Sequence, residues 1–536
     1  MISFREAQRI VSELCSTLRS SHEKVKTRES IGRILHKPMI ALRSNPGCDV
    51  AAMDGIAVNT SLEVPARFNP GEWERVNTGD PISNRWNAVV KIEDVEFEND
   101  FAVVSNPISP MQHIRLKGED FSKDALLFSA DHKIQPPDVS LLLTAGYEEV
   151  EVLKKPIIAF LPTGSELVMQ SSTQKEGQVV ESNSAIIDGL VTSWGGVVKM
   201  LQPVNDDYES LKLAIRKAIA DSDVVVVSAG TSMGTRDLTA SVIHDLGEIL
   251  FHGVALQPAK PTLLGKIGDV PILGLPGYPV AAYVASLYFL QPLVIAISRN
   301  ALELRREVQI SAENLAARNV DSIYRVNLYD VDGRVYMRKI SRGAGSILSL
   351  SQMDGLMHVP ADTEIHKRDA VRIDALHDRA ANSLAILGVS DPILNRAWDL
   401  FKEAMPEQRI LFWDYPPEDA LQNIIERNCH MAIINTFAGH DLFPEFARQL
   451  QDNMLRYRIF TRTVALAAPG VEAPCPPKVI IPKRNQRLWT HQSENSIYQS
   501  VFVNLSDEAA VRWAEKQSDA GVFADIRFLK LDCNKV

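Results

Sequence analysis

The stretch DVVVVSAGTSMGTRDLT, residues 223–239, decides how the middle of the chain is read. Val224 to Val227 form a short apolar run of buried-strand type. The run empties into Ser228, Ala229, Gly230, Thr231, Ser232 and Gly234, and the loop ends on Asp237. Open α/β sheets place ligands at the carboxyl ends of parallel strands. Glycines there let backbone N–H groups approach an anion, and a following helix adds its positive end. Ser228, Thr231 and Ser232 would add hydroxyl donors. A strand-to-helix turn with an N-cap explains the same composition. Two readings therefore stand: a turn, or an anion site with Asp237 as a metal or catalytic carboxylate.

Neighbouring stretches extend the pattern. From Pro156, PIIAFLP reads as a strand, SNSAIIDGLVTSW as a helix, GGVVKMLQPV as a strand and 207–220 as a helix. TLLGKI, VPILGLPG and the helix PVAAYVASLYFLQPLVIAI complete the series. This alternation implies a doubly wound, mostly parallel sheet over 154–298, covered on both faces. FLPTGSEL repeats the strand-then-glycine-and-hydroxyl arrangement and ends on Glu166. Glu166 alone also fits a solvated first-turn residue favoured by the helix dipole. In QPAKPT, residues 257–262, Lys260 stands between Ala259 and Pro261. A loop lysine is ordinarily solvated, but one stiffened by proline near two anion loops is a candidate oxyanion ligand. GLPGYPV sets Pro276 and Gly277 before a helix with Pro279 near its start, whose N–H groups can face an anion.

Residues 1–20 read as an amphipathic helix with Phe4, Ala7, Val11, Leu14 and Leu18 near one face. Residues 38–150 read as β-rich with long loops, so 1–153 forms an N-terminal region. The DG of AAMDGIAV is ordinary turn chemistry, as is NTGDPIS. Residues 299–377 read as a small β-domain, with DVDG as its hairpin signal. HDRAANS reads as a linker, and 383–536 returns to α/β alternation.

A chain of 536 residues implies about three to five domains. The formal net charge of −10 argues against nucleic-acid binding and leaves room for a local basic pocket taking a small anion. Five scattered cysteines without CxxC spacing argue against disulfides or zinc. The opening MISFREAQRI has no apolar core of signal-peptide type, and no stretch is expected to reach the length of a membrane span. A cytoplasmic protein without a membrane partner is expected.

The pieces AAMDGIAV, NTGDPIS, AVVKIEDV, IRLKGED, LLLTAGY, PTGSELV, ESN, SAGTSMGTRDLT, QPAKPT, GLPGYPVAA and SRGAGSILSL…DGLMHVPA occur in this order. Together they resemble the molybdopterin molybdotransferases, the MoeA family that includes the gephyrin E domain. The likeness spans roughly residues 1–377 and is specific because so many separate motifs keep their order. It implies insertion of molybdate, or tungstate, into adenylylated molybdopterin, release of AMP, assistance by Mg²⁺, and a homodimer. It also implies roles for residues. Ser228, Gly230, Thr231, Ser232, Gly234, Pro276 and Gly277 would hold pterin or phosphate. Asp54, Thr78, Glu166, Asp206, Asp237 and Lys260 would be catalytic, with Asp237 and Glu166 as metal carboxylates. Arg325 would face molybdate. Arg115 and Asp120 match the family's R…GED pattern.

The chain departs from the family in places. Gln257, Pro258, Ala259, Lys260, Pro261 stand where the family has a cation followed by Pro-Gly-Lys-Pro. Ala281 replaces a usual serine and His113 a usual asparagine. Exchanging lysine for Gln257 removes a charge-assisted contact, a loss of about 1.5–3 kcal/mol if that contact is buried. A non-catalytic carrier, sensor or scaffold that binds molybdopterin is the alternative to an active transferase. Residues 383–536 resemble a shortened periplasmic-binding-protein-like domain, akin to the effector domain of LysR-type regulators, which would take a small anion or cofactor precursor.

Overall fold

The computed structural model describes residues 1–169, 174–228, 238–300, 305–341, 343–377, 379–388, 408–437, 454–463 and 496–504. The loop 229–237, the helix expected over 391–404 and the stretch PGVEAPCPPK lie outside the described residues. The chain divides into two compact units. One comprises Met1–Val254 with Ala259–Leu302, the other Ala255–Pro258 with Glu303–Val536.

The first unit begins with α1 (Phe4–Thr17), whose cap is Ser3; its hydroxyl accepts from Glu6 N at 3.2 Å. Phe4, Ala7, Val11 and Leu14 are buried, as the spacing predicts, while Leu18 caps the end. The β-rich region that follows contains β1 (Gly55–Val58), flanked by β2 (Glu74–Val76) and β3 (Ala88–Lys91). Gly55 is not the turn residue that a DG pair suggests. It is a strand residue opposite Val76 and Lys91, and an added Cβ would lie 1.8 Å from Val90 O. Close approach of the neighbouring strand, not turn geometry, demands glycine there.

The α/β part contains β4 (Ile157–Pro162), α2 (Asn183–Ser193), β5 (Val197–Met200), α3 (Tyr208–Ala218), β6 (Val224–Ser228), α4 (Leu238–Leu246) and β7 (Glu248–His252). After β8 (Val254–Gln257) come β9 (Leu263–Ile267) and β10 (Val270–Leu275). The sheet order is β5-β4-β6-β10-β9-β7, parallel from β5 to β10, with β9 and β7 antiparallel. Every residue of β6 is buried, which explains its unbroken valine run.

Pro279–Ser298 corrects the expectation about span length. It is 20 residues long and apolar enough to cross a membrane by length and composition. Val280, Ala282, Val284, Phe289, Leu293 and Val294 are nevertheless fully buried, and Phe4 meets Tyr288 and Phe289 edge-on at 5.1 and 6.3 Å.

In the second unit, β11 (Arg305–Ser311), β12 (Asp321–Val331), β13 (Arg334–Lys339), β14 (Gly355–Val359) and β15 (Ala370–Ala375) form a closed barrel. The ring runs β12-β13-β11-β15-β14 and returns to β12. The DVDG turn joins β12 to β13. Asp332 and Gly333 have φ of 55° and 76°, and Gly333 N donates to Asp330 Oδ1 at 2.8 Å.

HDRAANS is not a free linker. Ala380 is buried in the barrel's core with Val326, Leu328 and Ile373. The chain then forms β16 (Ser383–Gly388), β17 (Arg409–Asp414), α5 (Pro417–Ile425), β18 (Met431–Phe437), β19 (Met454–Thr463) and β20 (Ser496–Asn504). Their order is β17-β16-β18-β20-β19, with β16 parallel to β17 and β18, and β20 antiparallel to its neighbours. One apolar core joins this layer to the barrel. Ala312, Tyr329, Val331 and Tyr336 pack with Leu387, Leu411, Leu421 and Ile424.

Candidate functional site

The carboxyl ends of three adjacent parallel strands coincide in register. Pro162 pairs with Ser228, and Ser228 with Leu275. Thr163 fastens the first two ends, donating from N and Oγ1 to Ser228 O at 2.9 and 3.0 Å. Asn183, at the start of α2, fastens the second and third: its Nδ2 donates to Gly277 O at 2.9 Å and Ser228 Oγ at 3.4 Å. Ser228, Asn183, Pro276 and Gly277 thus meet at one sheet edge, the place where such sheets bind ligands. Gly230, Thr231, Ser232, Gly234 and Asp237 lie outside the described residues.

Asn183 escaped the sequence reading. Within ESN and the helical pattern SNSAIIDGLVTSW, an asparagine carries no mark of a long-range role. In the structure Asn183 is 7% exposed and its Oδ1 has no partner among the described residues; nor has Glu181 Oε2. An unsatisfied buried acceptor is costly, so these two groups mark a place built to receive a donor.

Glu166 and Asp206 flank the same loop. The Glu166 carboxylate folds back over Gly164, whose φ is +144° and whose added Cβ would lie 2.8 Å from Glu166 Oε2. Gly164 N donates to Val204 O at 3.2 Å, two residues before the exposed Asp206. Among the described residues no three His, Cys, Asp or Glu side chains gather into a metal-binding group. Of the two carboxylates expected to hold Mg²⁺, Glu166 is described and Asp237 lies outside the described residues.

In the N-terminal region Asp54 and Thr78 are brought together. Asp54 Oδ1 accepts from Thr78 N at 2.6 Å and Thr78 Oγ1 at 2.9 Å. The backbone bond and then the hydroxyl bond from Thr78 hold the Asp54 carboxyl below the usual carboxylate pKa, so it stays ionised into acid. Arg115 pairs with Glu119 at 3.2 Å, and Asp120 accepts from Asn45 at 3.0 Å. His113 has φ of 50°, a left-handed conformation that asparagine also favours, which explains the exchange at this position.

Lys260 is exposed, and its carbonyl accepts from Val254 N at 2.9 Å. Before it, Ala259 is buried with φ of +105°, a conformation costly for any side chain but easy for glycine. Thr262 braces it, donating from Oγ1 to Ala259 O at 2.7 Å. Ala259→Gly should relieve this strain by more than the lost methyl and added chain entropy cost, raising stability by about 1 kcal/mol. Urea unfolding checks this, and a lower midpoint would show that the alanine methyl outweighs the strain.

In the second unit Arg325 is 9% exposed on β12, and burial pulls its pKa below the ordinary guanidinium value. Its Nη1 donates to Ser349 Oγ at 2.6 Å and Gly343 O at 3.4 Å. Gln257 is exposed, and its Oε1 accepts from Arg318 Nη1 at 3.2 Å. Ala281 is 5% exposed in the first turn of the helix beginning at Pro279.

Comparison with known proteins matches three consecutive regions. Residues 2–146 match the MoeA N-terminal region (domain I and II), 159–296 a probable molybdopterin binding domain, and 312–373 the MoeA C-terminal region (domain IV). A Methanocaldococcus jannaschii protein named for molybdopterin biosynthesis is 29% identical over 394 residues, covering 69% of this chain and 96% of its own. A molybdopterin molybdenumtransferase of Nostoc is 27% identical over 397 residues, covering 67% of this chain and 90% of its own. The crystal structure of a molybdopterin biosynthesis MoeA protein from Pyrococcus horikoshii superposes with a TM-score of 0.61 at 27% identity, covering 70% of this chain and all of its own. With these regions in family order on a MoeA-like fold, the chain belongs to the MoeA family.

Proposed function

We propose that the chain is a molybdopterin molybdenumtransferase of molybdenum cofactor biosynthesis, taking adenylylated molybdopterin and molybdate or tungstate and releasing AMP. The observation that carries this reading is the strand-end cluster of Thr163, Ser228, Asn183 and Gly277, pinned together beside two acceptors, Asn183 Oδ1 and Glu181 Oε2, that no described residue satisfies. That edge suits the N–H donors of a pterin ring. Asp54, held ionised by Thr78, is the carboxylate that acts on the anhydride being cleaved. Arg325 supplies a cation for the oxyanion. In this reading Glu166, joined by Asp237, is the carboxylate pair for Mg²⁺, and the protein works as a cytoplasmic homodimer.

The test supplies purified protein with adenylylated molybdopterin and molybdate, then measures AMP release and metal incorporation. Asp54→Asn removes the charge and keeps the shape, so release should fall by about 10²-fold or more while the melting temperature changes little. Intact pterin binding without AMP release from the native protein would leave only the non-catalytic carrier. Native-like turnover in Asp54→Asn would remove Asp54 from the chemistry.

A further inference from the structure

The family match ends at residue 373, yet a side chain beyond it reaches the loop that holds Arg325. That side chain is Arg409, the first residue of β17. Its Nη1 pairs with Asp354 Oδ1 at 2.5 Å, and its Nη2 donates to Gln352 O. Asp354 is fully buried. Its other oxygen accepts from Leu328 N at 2.8 Å, and its backbone N donates to Val326 O at 2.8 Å.

Gln352 is the last residue of a short helix, α6 (Ile347–Gln352), whose Ser349 accepts from the Arg325 guanidinium. A helix of under two turns cannot satisfy its own terminal carbonyls and is marginal alone. Here the terminal carbonyl of Gln352 receives Arg409, and also Asn327 Nδ2 at 2.7 Å. A cation at a helix C-terminus is favoured by the dipole as well. One acceptor of Arg325, the Ser349 hydroxyl, is therefore fixed from the C-terminal layer.

We propose that Arg409 is a positioning residue for Arg325, acting through Gln352 and Asp354 on the helix that carries Ser349. The C-terminal layer on this view completes the barrel's cationic site and is not a passive appendage. The functional half rests on the transferase reading; the geometric half does not.

The test uses the full chain and Arg409→Gln, with Arg409→Lys as the conservative partner. Deuterium exchange should quicken in the amides of 343–353 while the first unit is unchanged. The molybdate concentration giving half-maximal AMP release should rise about tenfold at constant kcat, with partial recovery in Arg409→Lys. In an Arg325→Gln background, Arg409→Gln should add no further rise. Unchanged exchange in 343–353, or a fully additive rise in the double variant, overturns the proposal. Should Arg325→Gln alone leave the molybdate dependence unaltered, the placement of Arg325 at the oxyanion fails, and the exchange measurement decides the positioning by itself.

Discussion

Gly55→Ala is expected to destabilise the first unit by more than about 3 kcal/mol and to abolish AMP release. The methyl would sit 1.8 Å from Val90 O and 2.8 Å from its carbonyl carbon, both backbone atoms of the paired strand β3. No rotamer change can relieve such a contact, so the strands must separate. Val58, Val90, Ile56 and Ala88 share one buried cluster, and separation opens it. Asp54 immediately precedes the clash, and its bonds to Thr78 depend on where β1 begins. Alanine normally stabilises a strand or helix relative to glycine by about 0.5–1 kcal/mol, so the clash must overcome that preference. Gly189→Ala is the control. It lies exposed in α2 with nothing within 4 Å of an added Cβ, and should stabilise by about 0.5–1 kcal/mol. Urea unfolding of both variants checks the pair; similar midpoints would mean that the strand spacing yields easily.

What the sequence revealed and what it hid follow from the range of the forces involved. The valine run of β6 and the DVDG turn are local signals, because burial on both faces and positive φ each leave a mark at the residues concerned. Gly55 misled because two causes, a turn and a close approach, select the same residue, and only the partner strand distinguishes them. The closing of the barrel through β12 and β14 joins residues distant in sequence and leaves no periodic trace. Ala380 looked like linker because small residues suit both a linker and a tight core position. At the site, the edge ending in Ser228 was legible from strand order, whereas Asn183 was not. Its role lies in bonds to Ser228 and Gly277, neither of them a sequence neighbour. Gln257 is exposed beside Arg318 and Ala281 is buried in a helix, and neither environment leaves a mark on the neighbouring sequence.

Arg338→Ala should be the most damaging change in the second unit, at about 3–5 kcal/mol. Arg338 lies on β13 in YMRKI, is 1% exposed, and crosses the junction between barrel and C-terminal layer. Its guanidinium donates to Tyr415 OH, to Ala312 O at 3.3 Å and to Asn423 Oδ1 at 3.4 Å. It also lies 4.9 Å from the Tyr415 ring and 5.4 Å from that of Trp413. Alanine would strand these acceptors in a cavity. It would also remove the charge that offsets the burial of Glu313, whose carboxyl pKa is pushed up by desolvation and held down in part by Arg338. Arg338→Met keeps most of the volume and should cost less than alanine, since apolar replacements of buried charges are often tolerated. The two variants share a pH signature. A carboxyl whose folded pKa lies above its ordinary 4.5 favours the fold below pH 4.5, and that contribution is lost as pH rises through the folded value. Without Arg338 the folded value climbs further. The stability gap between native protein and Arg338→Met should therefore be smallest near pH 4.5 and widen toward neutrality. Unfolding midpoints measured across that window decide the matter: a gap independent of pH would show that Arg338 acts by packing and hydrogen bonding alone, without its charge.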